Sequence, residues 1–254
     1  MIHNLNAIIL AAGRGSRLGL KDVPKPMAKI FRDKTAIELL IDVIEKSNID
    51  ETVVVTKYKE KILIEYLNKI KPLVTTTTQK VLNGTLEASL AGLKSFDKKT
   101  PRDVIVFPGD NGALLTSSTI NALINVHKNE NSHITVLLTN DYNAGTHKIC
   151  FKTKEGLVTE QIISSDKIDY GGNTHFNTGI VCLNRLFLLK YAHDIQPLPN
   201  GELTISRLIE IALTKKIPVF YVISKPLEVS SINKPEDLNF VKKIAQKSTF
   251  IHGT

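Results

Sequence analysis

The sequence lacks the features that mark secreted and membrane-spanning proteins. It contains two cysteines, Cys150 and Cys182, and both lie inside apolar runs. We therefore expect buried thiols rather than a disulfide or a metal pair. No apolar run approaches the length of a membrane span, and the N-terminus has no charged region followed by a signal-like apolar core. The sequence thus predicts a cytoplasmic protein without a membrane partner.

Several recurrent catalytic patterns are missing as well. The seven histidines are dispersed, without the HxH or HExxH spacing of zinc sites, and neither a GxSxG nucleophile elbow nor a GxxxxGK[ST] phosphate loop occurs. The net charge is +8, but the lysines are scattered and form no arginine-rich or aromatic-interleaved patch. These absences argue against a nucleic-acid partner and favour a basic surface that binds small anions.

Strand and helix patterns alternate along most of the chain. Apolar and Thr-rich runs predict strands at 7–10, 53–55, 74–79, 104–107, 134–138 and 219–223. Helical spacing predicts helices that begin near 35 and 234, and others at 60–70, 87–96, 117–127, 186–191 and 203–212. Short extended runs at 148–152, 157–163 and 179–183 are typical of antiparallel additions at the ligand end of a sheet. We predict an α/β fold with one doubly wound, mostly parallel, Rossmann-like domain over residues 1–254, because no repeat or linker divides the chain.

Glycines and basic residues alternate directly after the first predicted strand. The loop contains Gly13, Gly15 and Gly19 interspersed with Arg14, Arg17, Lys21 and Lys25. Glycine lets main-chain N–H groups approach a ligand closely, and Arg and Lys beside such groups suit a polyphosphate. The third glycine falls one position too late for the dinucleotide fingerprint GxGxxG. The loop therefore predicts a phosphate site of another kind.

Polar residues near other predicted strands should meet this loop at the carboxyl edge of the sheet. Asp110 follows the strand at 104–107 and Gly109, a place that suits a Mg²⁺ ligand and equally suits a turn or helix cap. Asn177 precedes the run at 179–183. Its amide would either face the hydroxyls of a sugar or cap a turn.

The pattern G-x-G-x-R followed by Pro24-Lys25 resembles the signature of the sugar-phosphate nucleotidyltransferases. The resemblance is closest to the uridylyltransferase domain of bifunctional N-acetylglucosamine-1-phosphate uridylyltransferase. Further matches continue in the same order to about Leu238, at Gln79 with Gly84-Thr85, Pro108-Gly109-Asp110, Gly145, Phe176-Asn177-Thr178-Gly179-Ile180, Gly201-Glu202 and Glu228-Val229-Ser230-Ser231-Ile232-Asn233.

The resemblance implies an enzyme that joins an NTP, with UTP favoured, to a sugar 1-phosphate and releases pyrophosphate. It implies catalytic roles for Arg17, Lys25 and Asp110, and a Mg²⁺ cofactor held by Asp110 and Asn233. It implies sugar contacts from Gly145 and Asn177. The nucleotide-binding positions that it implies are Leu10, Ala11, Ala12, Gly13, Gly15, Gln79, Gly84, Thr85 and Gly109.

Three departures from the family pattern leave the substrates open. Leu86 and Glu87 replace the family's Gly-His, and no Glu stands near 163–165 for an amino-sugar, so Glu160 would serve only with a shifted alignment. No hexapeptide repeat follows, so we expect no left-handed β-helix acetyltransferase domain. Two alternatives remain: a cytidylyltransferase acting on an alcohol or choline phosphate, and a regulatory protein that binds a nucleotide sugar without turnover.

Overall fold

The computed structural model describes residues 5–20, 22–96, 102–140, 149–163, 172–225 and 227–248. The strands in these ranges are β1 Leu5–Ala11, β2 Lys29–Phe31, β3 Lys34–Thr35, β4 Ile49–Thr56, β5 Thr75–Thr78, β6 Asp103–Pro108, β7 Ile134–Thr139, β8 Ile149–Lys154, β9 Leu157–Ile163, β10 Thr174–Leu183 and β11 Val219–Ile223. The α-helices are α1 Ala36–Glu45, α2 Glu60–Ile70, α3 Thr85–Leu93, α4 Ser117–Asn129, α5 Arg185–Tyr191, α6 Arg207–Thr214 and α7 Pro235–Ser248.

A nine-stranded sheet organises the described part of the chain in the order β5-β4-β1-β6-β10-β7-β11-β9-β8. The β5-β4-β1-β6 group is parallel, and β7 is parallel to β11. One buried cluster packs α1, α2 and α4 against the sheet, and a second packs α3, α5 and α6 against the opposite face. The predicted doubly wound, mostly parallel α/β class is confirmed, because apolar runs without alternation are buried on both faces.

The run at 179–183, predicted as an antiparallel addition at the ligand end, belongs to a strand in the middle of the sheet, between β6 and β7. Strand β10 begins at Thr174, five residues earlier than predicted, and pairs antiparallel with both β6 and β7. Four of the five residues at 174–178 are polar, so the sequence pattern revealed only the second half of the strand. Asn177 is therefore a residue of β10 that pairs with Leu138 rather than a residue before the strand, and its side chain caps the irregularity that follows by accepting a hydrogen bond from the Gly179 N–H. The runs at 149–154 and 157–163 are antiparallel additions, as predicted.

Three of the described helices, α1, α4 and α5, begin at a residue whose side chain accepts a hydrogen bond from the first turn. Thr35 accepts a hydrogen bond from the Glu38 N–H at 3.3 Å and begins α1, as predicted. The start of α6 differs from its prediction, since Leu203 lies in an irregular segment and α6 begins at Arg207. In this irregular segment the Ile205 N–H donates to Thr85 Oγ1 at 3.0 Å. The segment therefore contacts the start of α3 before it turns into a helix.

Two predictions from the composition, on the cysteines and on membrane-spanning segments, can be compared with the structure. Cys150 and Cys182 are buried free thiols, as predicted, and burial raises the pKa of both. In the part of the chain that the structure describes, no helix combines the length and the apolar character that crossing a membrane requires.

Asp103, at the amino end of β6, anchors α5 and should make stability depend on pH. Burial by itself would raise its pKa, but the neighbouring His127 ring, with 3.4 Å between Nε2 and Oδ2, and hydrogen bonds from the Arg185 N–H and Asn184 outweigh burial and hold the pKa below its ordinary value of 3.8. A lowered native pKa stabilises the fold above about pH 4, and this contribution disappears as pH falls through the native value. We expect Asp103→Asn to lower the free energy of unfolding by roughly 1–3 kcal/mol at pH 7. Urea unfolding should show a smaller difference in the free energy of unfolding between the wild type and the variant at pH 3 than at pH 7. An equal difference at the two pH values would contradict this role.

Candidate functional site

The glycine-rich loop folds over the carboxyl end of β1. It contains a short 3-10 turn at Ser16–Leu18, which is flanked by Gly15 with φ of 60° and Gly19 with φ of 75°. Both values lie in the left-handed region that favours glycine. A Cβ atom on Gly15 would lie 2.6 Å from the Lys25 Cβ. The absence of a side chain at Gly15 therefore lets the aliphatic stem of Lys25 pack directly on the loop.

Lys25 stands at the centre of a polar cluster that joins three separate segments. Its ammonium forms a short ion pair with the Asp110 carboxylate and donates to Asn233 Oδ1 at 2.8 Å. Arg17 approaches the same oxygen, with 3.4 Å between Nη2 and Oδ1. The Lys25 and Asp110 side chains are 13% and 26% exposed, so water screens their attraction less than it would on an open surface. The structure thus brings together all four residues predicted to act on phosphate or metal.

Main-chain hydrogen bonds fix the two oxygen-bearing residues of this cluster. The Gly109 N–H donates to the Leu10 carbonyl at 2.9 Å, and a Cβ on Gly109 would lie 2.7 Å from that oxygen. The Ile232 N–H donates to the Asp110 carbonyl at 3.0 Å. These contacts tie the end of β6 to β1 on one side and to the Asn233 segment on the other.

The segment that precedes Asn233 is held by a buried carboxylate. Glu228 is 6% exposed and accepts hydrogen bonds from Thr116 Oγ1 at 2.6 Å, Thr119 Oγ1 at 2.5 Å and the Lys225 N–H at 3.2 Å. Thr116 is the N-cap of α4, where a negative charge is favourable. Glu228 therefore fastens the segment to a helix terminus. Glu228 appeared in the sequence only as the first residue of the matching segment 228–233, with no sign that its carboxylate is buried.

The donor set of this cluster fits a magnesium ion. Asp110 Oδ2 and Asn233 Oδ1 both contact one cationic atom, Lys25 Nζ, so the two oxygens converge on a single position that suits a cation. Mg²⁺ is commonly held by one or two protein oxygens together with substrate phosphates and water. Within the described ranges, no group of three or more His, Cys, Asp and Glu side chains is placed to bind a metal. The phosphates of a substrate would therefore have to complete the coordination.

Two adjoining cavities open at this edge of the sheet, and they share Leu10, Gly13 and Asp110. The first, of about 230 Å³, is also lined by Ala11, Gly15, Ser16, Arg17, Lys25 and Pro26. The second, of about 430 Å³, is also lined by Ala12, Arg14, Gln79, Leu82, Gly84, Thr85, Ala88, Pro108 and Glu202. The first cavity has the glycines and cations of a phosphate site, and the second combines apolar lining residues with polar ones.

The far end of the second cavity is built around Gly84. Its φ of 120° is in the region that favours glycine, and a Cβ would lie 2.3 Å from the Leu203 carbonyl oxygen. Leu203 is fixed there, since its N–H donates to the Asn83 carbonyl at 2.6 Å and its carbonyl accepts from the Leu86 N–H at 2.9 Å. Gln79 is buried and donates from Nε2 to the Gly84 carbonyl at 3.2 Å. The predicted nucleotide-binding positions Gln79 and Gly84 thus contact each other directly.

Strand β10 brings Asn177 to the same edge of the sheet, beside the end of β6. Asn177 Oδ1 accepts from the Gly179 N–H at 3.0 Å, within an irregularity of β10. Asn111, next to Asp110, is 2% exposed and donates from Nδ2 to the Thr178 carbonyl at 2.8 Å. Asn111 therefore connects the Asp110 turn with the Asn177 segment. No local sequence pattern points to this contact, because the hydrogen bond joins residues 67 positions apart.

Of the two predicted sugar contacts, Asn177 lies at this edge of the sheet and Gly145 is not placed in the site. Gly145 lies outside the described residues, as do positions 164 and 165, where the family has its amino-sugar Glu. Glu160 is exposed on β9 and pairs with Lys152 of β8, with 2.8 Å between Nζ and Oε2. Arg14, Leu82 and Glu202 line the second cavity although the sequence did not assign them to a site. Of these three residues, only Glu202 had a signal in the sequence, because it lies in the Gly201-Glu202 segment that matches the family pattern.

Comparison with known sequences finds two kinds of match. The family model of the MobA-like NTP transferase domain matches residues 7–165. The bifunctional protein GlmU of Alkaliphilus oremlandii is 27% identical over 246 residues, which cover 96% of this chain and 52% of that protein. The chain therefore spans about half the length of the curated relatives that it matches.

Comparison with solved structures finds the same fold in other nucleotidyltransferases. The inositol-1-phosphate CTP transferase of T. maritima has a TM-score of 0.76 at 16% identity, with 97% of each chain covered. A UDP-glucose pyrophosphorylase complexed with UDP-glucose has a TM-score of 0.74 at 16% identity, with 96% of this chain and 99% of the other covered.

Proposed function

Because the chain belongs to the MobA-like NTP transferase family, we propose that it joins an NTP to a sugar 1-phosphate and releases pyrophosphate, with UTP as the favoured NTP. The observation that carries the proposal is the convergence of Arg17, Lys25, Asp110 and Asn233 at a cavity lined by the glycine loop. The relative named GlmU and the UDP-glucose pyrophosphorylase neighbour support the sugar phosphate and the uridine nucleotide. We propose one nucleotidyltransferase domain over residues 1–254, in line with structural neighbours that match nearly end to end.

The proposed reaction needs charge stabilisation more than a general base. A phosphate monoester is largely ionised at neutral pH because its second pKa is near 6, so the acceptor already carries its nucleophilic oxygen. Arg17 and Lys25 would stabilise the negative charge that grows on the pyrophosphate as it leaves. The main-chain N–H groups of Gly13 and Gly15 would hold the NTP phosphates in line with the acceptor.

Asp110 and Asn233 would hold the Mg²⁺ cofactor of this proposal. A bound Mg²⁺ supplies electrostatic stabilisation at the phosphoryl oxygens. The Asp110 carboxylate provides the negative charge for a hard cation, and the Asn233 side chain provides a neutral oxygen. Two hydrogen bonds from main-chain N–H groups fix the turn that contains Asn233. The Asn233 and Lys234 N–H groups both donate to Asp237 Oδ2, at 2.8 and 2.9 Å, so the turn before α7 keeps the Asn233 amide in place.

The second cavity would take the nucleoside. Its apolar lining residues suit the face of a base, and Gln79, Gly84 and Thr85 in its wall offer hydrogen-bonding groups for the edge of a base. The Leu86-Glu87 departure from the family lies at the start of α3, directly after Thr85. A cytidylyltransferase remains the second candidate, since the CTP transferase of T. maritima shares the fold over the whole chain.

One panel of assays tests these candidates. Pyrophosphate release would be measured for four NTPs against several sugar 1-phosphates, inositol 1-phosphate and phosphocholine, all with Mg²⁺. We expect the fastest release with UTP and a sugar 1-phosphate. Release confined to CTP with an alcohol phosphate would favour the cytidylyltransferase. Binding of a nucleotide sugar without any release of pyrophosphate would favour the regulatory protein.

The assays do not address localisation or macromolecular partners. A cytoplasmic location and the lack of membrane and nucleic-acid partners stay predictions.

Replacing Asn177 should separate a sugar acceptor from one without neighbouring hydroxyls. An Asn amide can pair with two hydroxyls of a sugar, which phosphocholine lacks. We expect Asn177→Ala to raise KM for the sugar phosphate, to leave KM for the NTP nearly unchanged, and to cost about 1–3 kcal/mol in kcat/KM. Asn184→Ala is the matched control, because Asn184 follows the opposite end of β10 and caps α5. Unaltered sugar-phosphate kinetics in Asn177→Ala would exclude this sugar pocket.

A further inference from the structure

Lys25 makes two contacts that a purely phosphate-binding residue does not need. Its ammonium touches Asp110 Oδ2 and Asn233 Oδ1, the same two oxygens that fit a divalent cation. A monovalent ammonium and a divalent ion cannot share one position between two oxygens, since their charges repel strongly at such a distance. Occupation of the oxygen pair by Lys25 and by a metal ion must therefore be mutually exclusive.

Lys25 also has an alternative partner within reach. It lines the phosphate cavity of about 230 Å³ together with Arg17 and the glycines of the loop. The four-carbon stem of lysine is flexible, and its three N–H donors are not tied to one planar geometry. Triphosphate oxygens in that cavity would offer the ammonium a stronger negative charge than one carboxylate and one amide.

We propose that Lys25 occupies the cation position of the Asp110–Asn233 pair until an NTP binds, and that it thereby couples metal binding to nucleotide binding. This inference rests on the proposed function. When the NTP phosphates draw the ammonium away, the two oxygens become available to the metal, so the nucleotide raises the affinity for the metal. Linkage requires that the metal raise the affinity for the nucleotide by the same factor. Free metal alone would bind weakly.

The decisive measurement is the affinity of the protein for Mn²⁺ in the absence of nucleotide. Free Mn²⁺ is quantified by its electron paramagnetic resonance signal during the titration. Lys25→Met keeps an unbranched stem to pack on Gly15 and removes only the charged end. We expect this variant to bind Mn²⁺ at least about tenfold more tightly than the wild type, because a cation in contact with both ligands has been removed. The same variant should be slower in turnover, so affinity for metal and catalysis should change in opposite directions.

Two further variants separate direct competition from a general change of charge. Arg14→Met removes one positive charge from the same loop, at a side chain that lines the second cavity. We expect it to change Mn²⁺ affinity by less than about threefold, because screening weakens more distant charges. The double variant Lys25→Met with Asp110→Asn should lose the gain, since the ion would no longer have its carboxylate.

Unchanged or weaker Mn²⁺ binding by Lys25→Met would overturn the inference, as would an equal gain in Arg14→Met. Thermal unfolding of each variant verifies that the protein measured is folded. Turnover of the wild type is measured separately by pyrophosphate release. Turnover with an unchanged Mn²⁺ affinity in Lys25→Met would overturn the coupling role and leave the proposed function standing. No turnover with any NTP would overturn the proposed function itself.

Discussion

Asp110→Asn is expected to lower kcat by roughly two or more orders of magnitude, which corresponds to about 2.7 kcal/mol or more of lost transition-state stabilisation. The substitution keeps the size of the side chain but removes the charge that holds a hard cation. The same charge attracts Lys25, so its loss affects both the metal ligand and the ion pair of the cluster. The assay is pyrophosphate release at saturating NTP and sugar phosphate over a range of Mg²⁺ concentrations.

Asp103→Asn is the matched control for this experiment. Asp103 begins the same strand, β6, that Asp110 follows, and it also carries a partly buried carboxylate with several hydrogen bonds. We expect Asp103→Asn to reduce stability and to leave kcat near the wild-type value below its unfolding temperature. We expect the opposite pattern from Asp110→Asn, because its carboxylate faces the cavity and its main-chain bonds remain. Wild-type turnover by Asp110→Asn in the same Mg²⁺ would make Asp110 a turn residue.

The sequence predicted the parallel part of the sheet because buried strands there have a simple signal. Each is a short apolar run between helical segments, and the carboxyl ends of parallel strands meet at one edge. That rule placed the loop after β1 next to Asp110. Motif spacing then added Gln79, Gly84 and Asn233. The family match and the relatives confirm the resemblance to nucleotidyltransferases that these motifs suggested.

The sequence could not predict contacts that depend on tertiary packing. Lys25 bonds Asp110 across 85 positions and Asn233 across 208 positions, and no local pattern records that its ammonium touches both oxygens. The central place of β10 was missed for a similar reason. An antiparallel strand between two parallel ones is selected by pairing with both neighbours, and the mostly polar residues at 174–178 concealed half of the strand.

The two cations of the cluster should differ from ordinary binding residues in their kinetic effect. Arg17→Ala and Lys25→Ala should each lower kcat at saturating NTP by about 10²–10³-fold, the size of effect seen when one preorganised donor is removed from a site of developing charge. The effect should fall on kcat because the negative charge on pyrophosphate is largest as that group departs. The measurement is initial-rate kinetics with both substrates varied in turn.

Arg14→Ala provides the comparison, because Arg14 belongs to the same loop and lines the cavity proposed for the nucleoside. A cation that assists only in binding should change KM for the NTP more than kcat. If Arg17→Ala and Lys25→Ala also change only KM, both residues bind the ground state and the catalytic assignment is wrong. If instead Arg17→Ala lowers only kcat, whereas Lys25→Ala lowers kcat and also raises the affinity for Mn²⁺, the two cations have different roles. Arg17 would then stabilise charge alone, and Lys25 would in addition exchange the carboxylate for phosphate as the nucleotide enters.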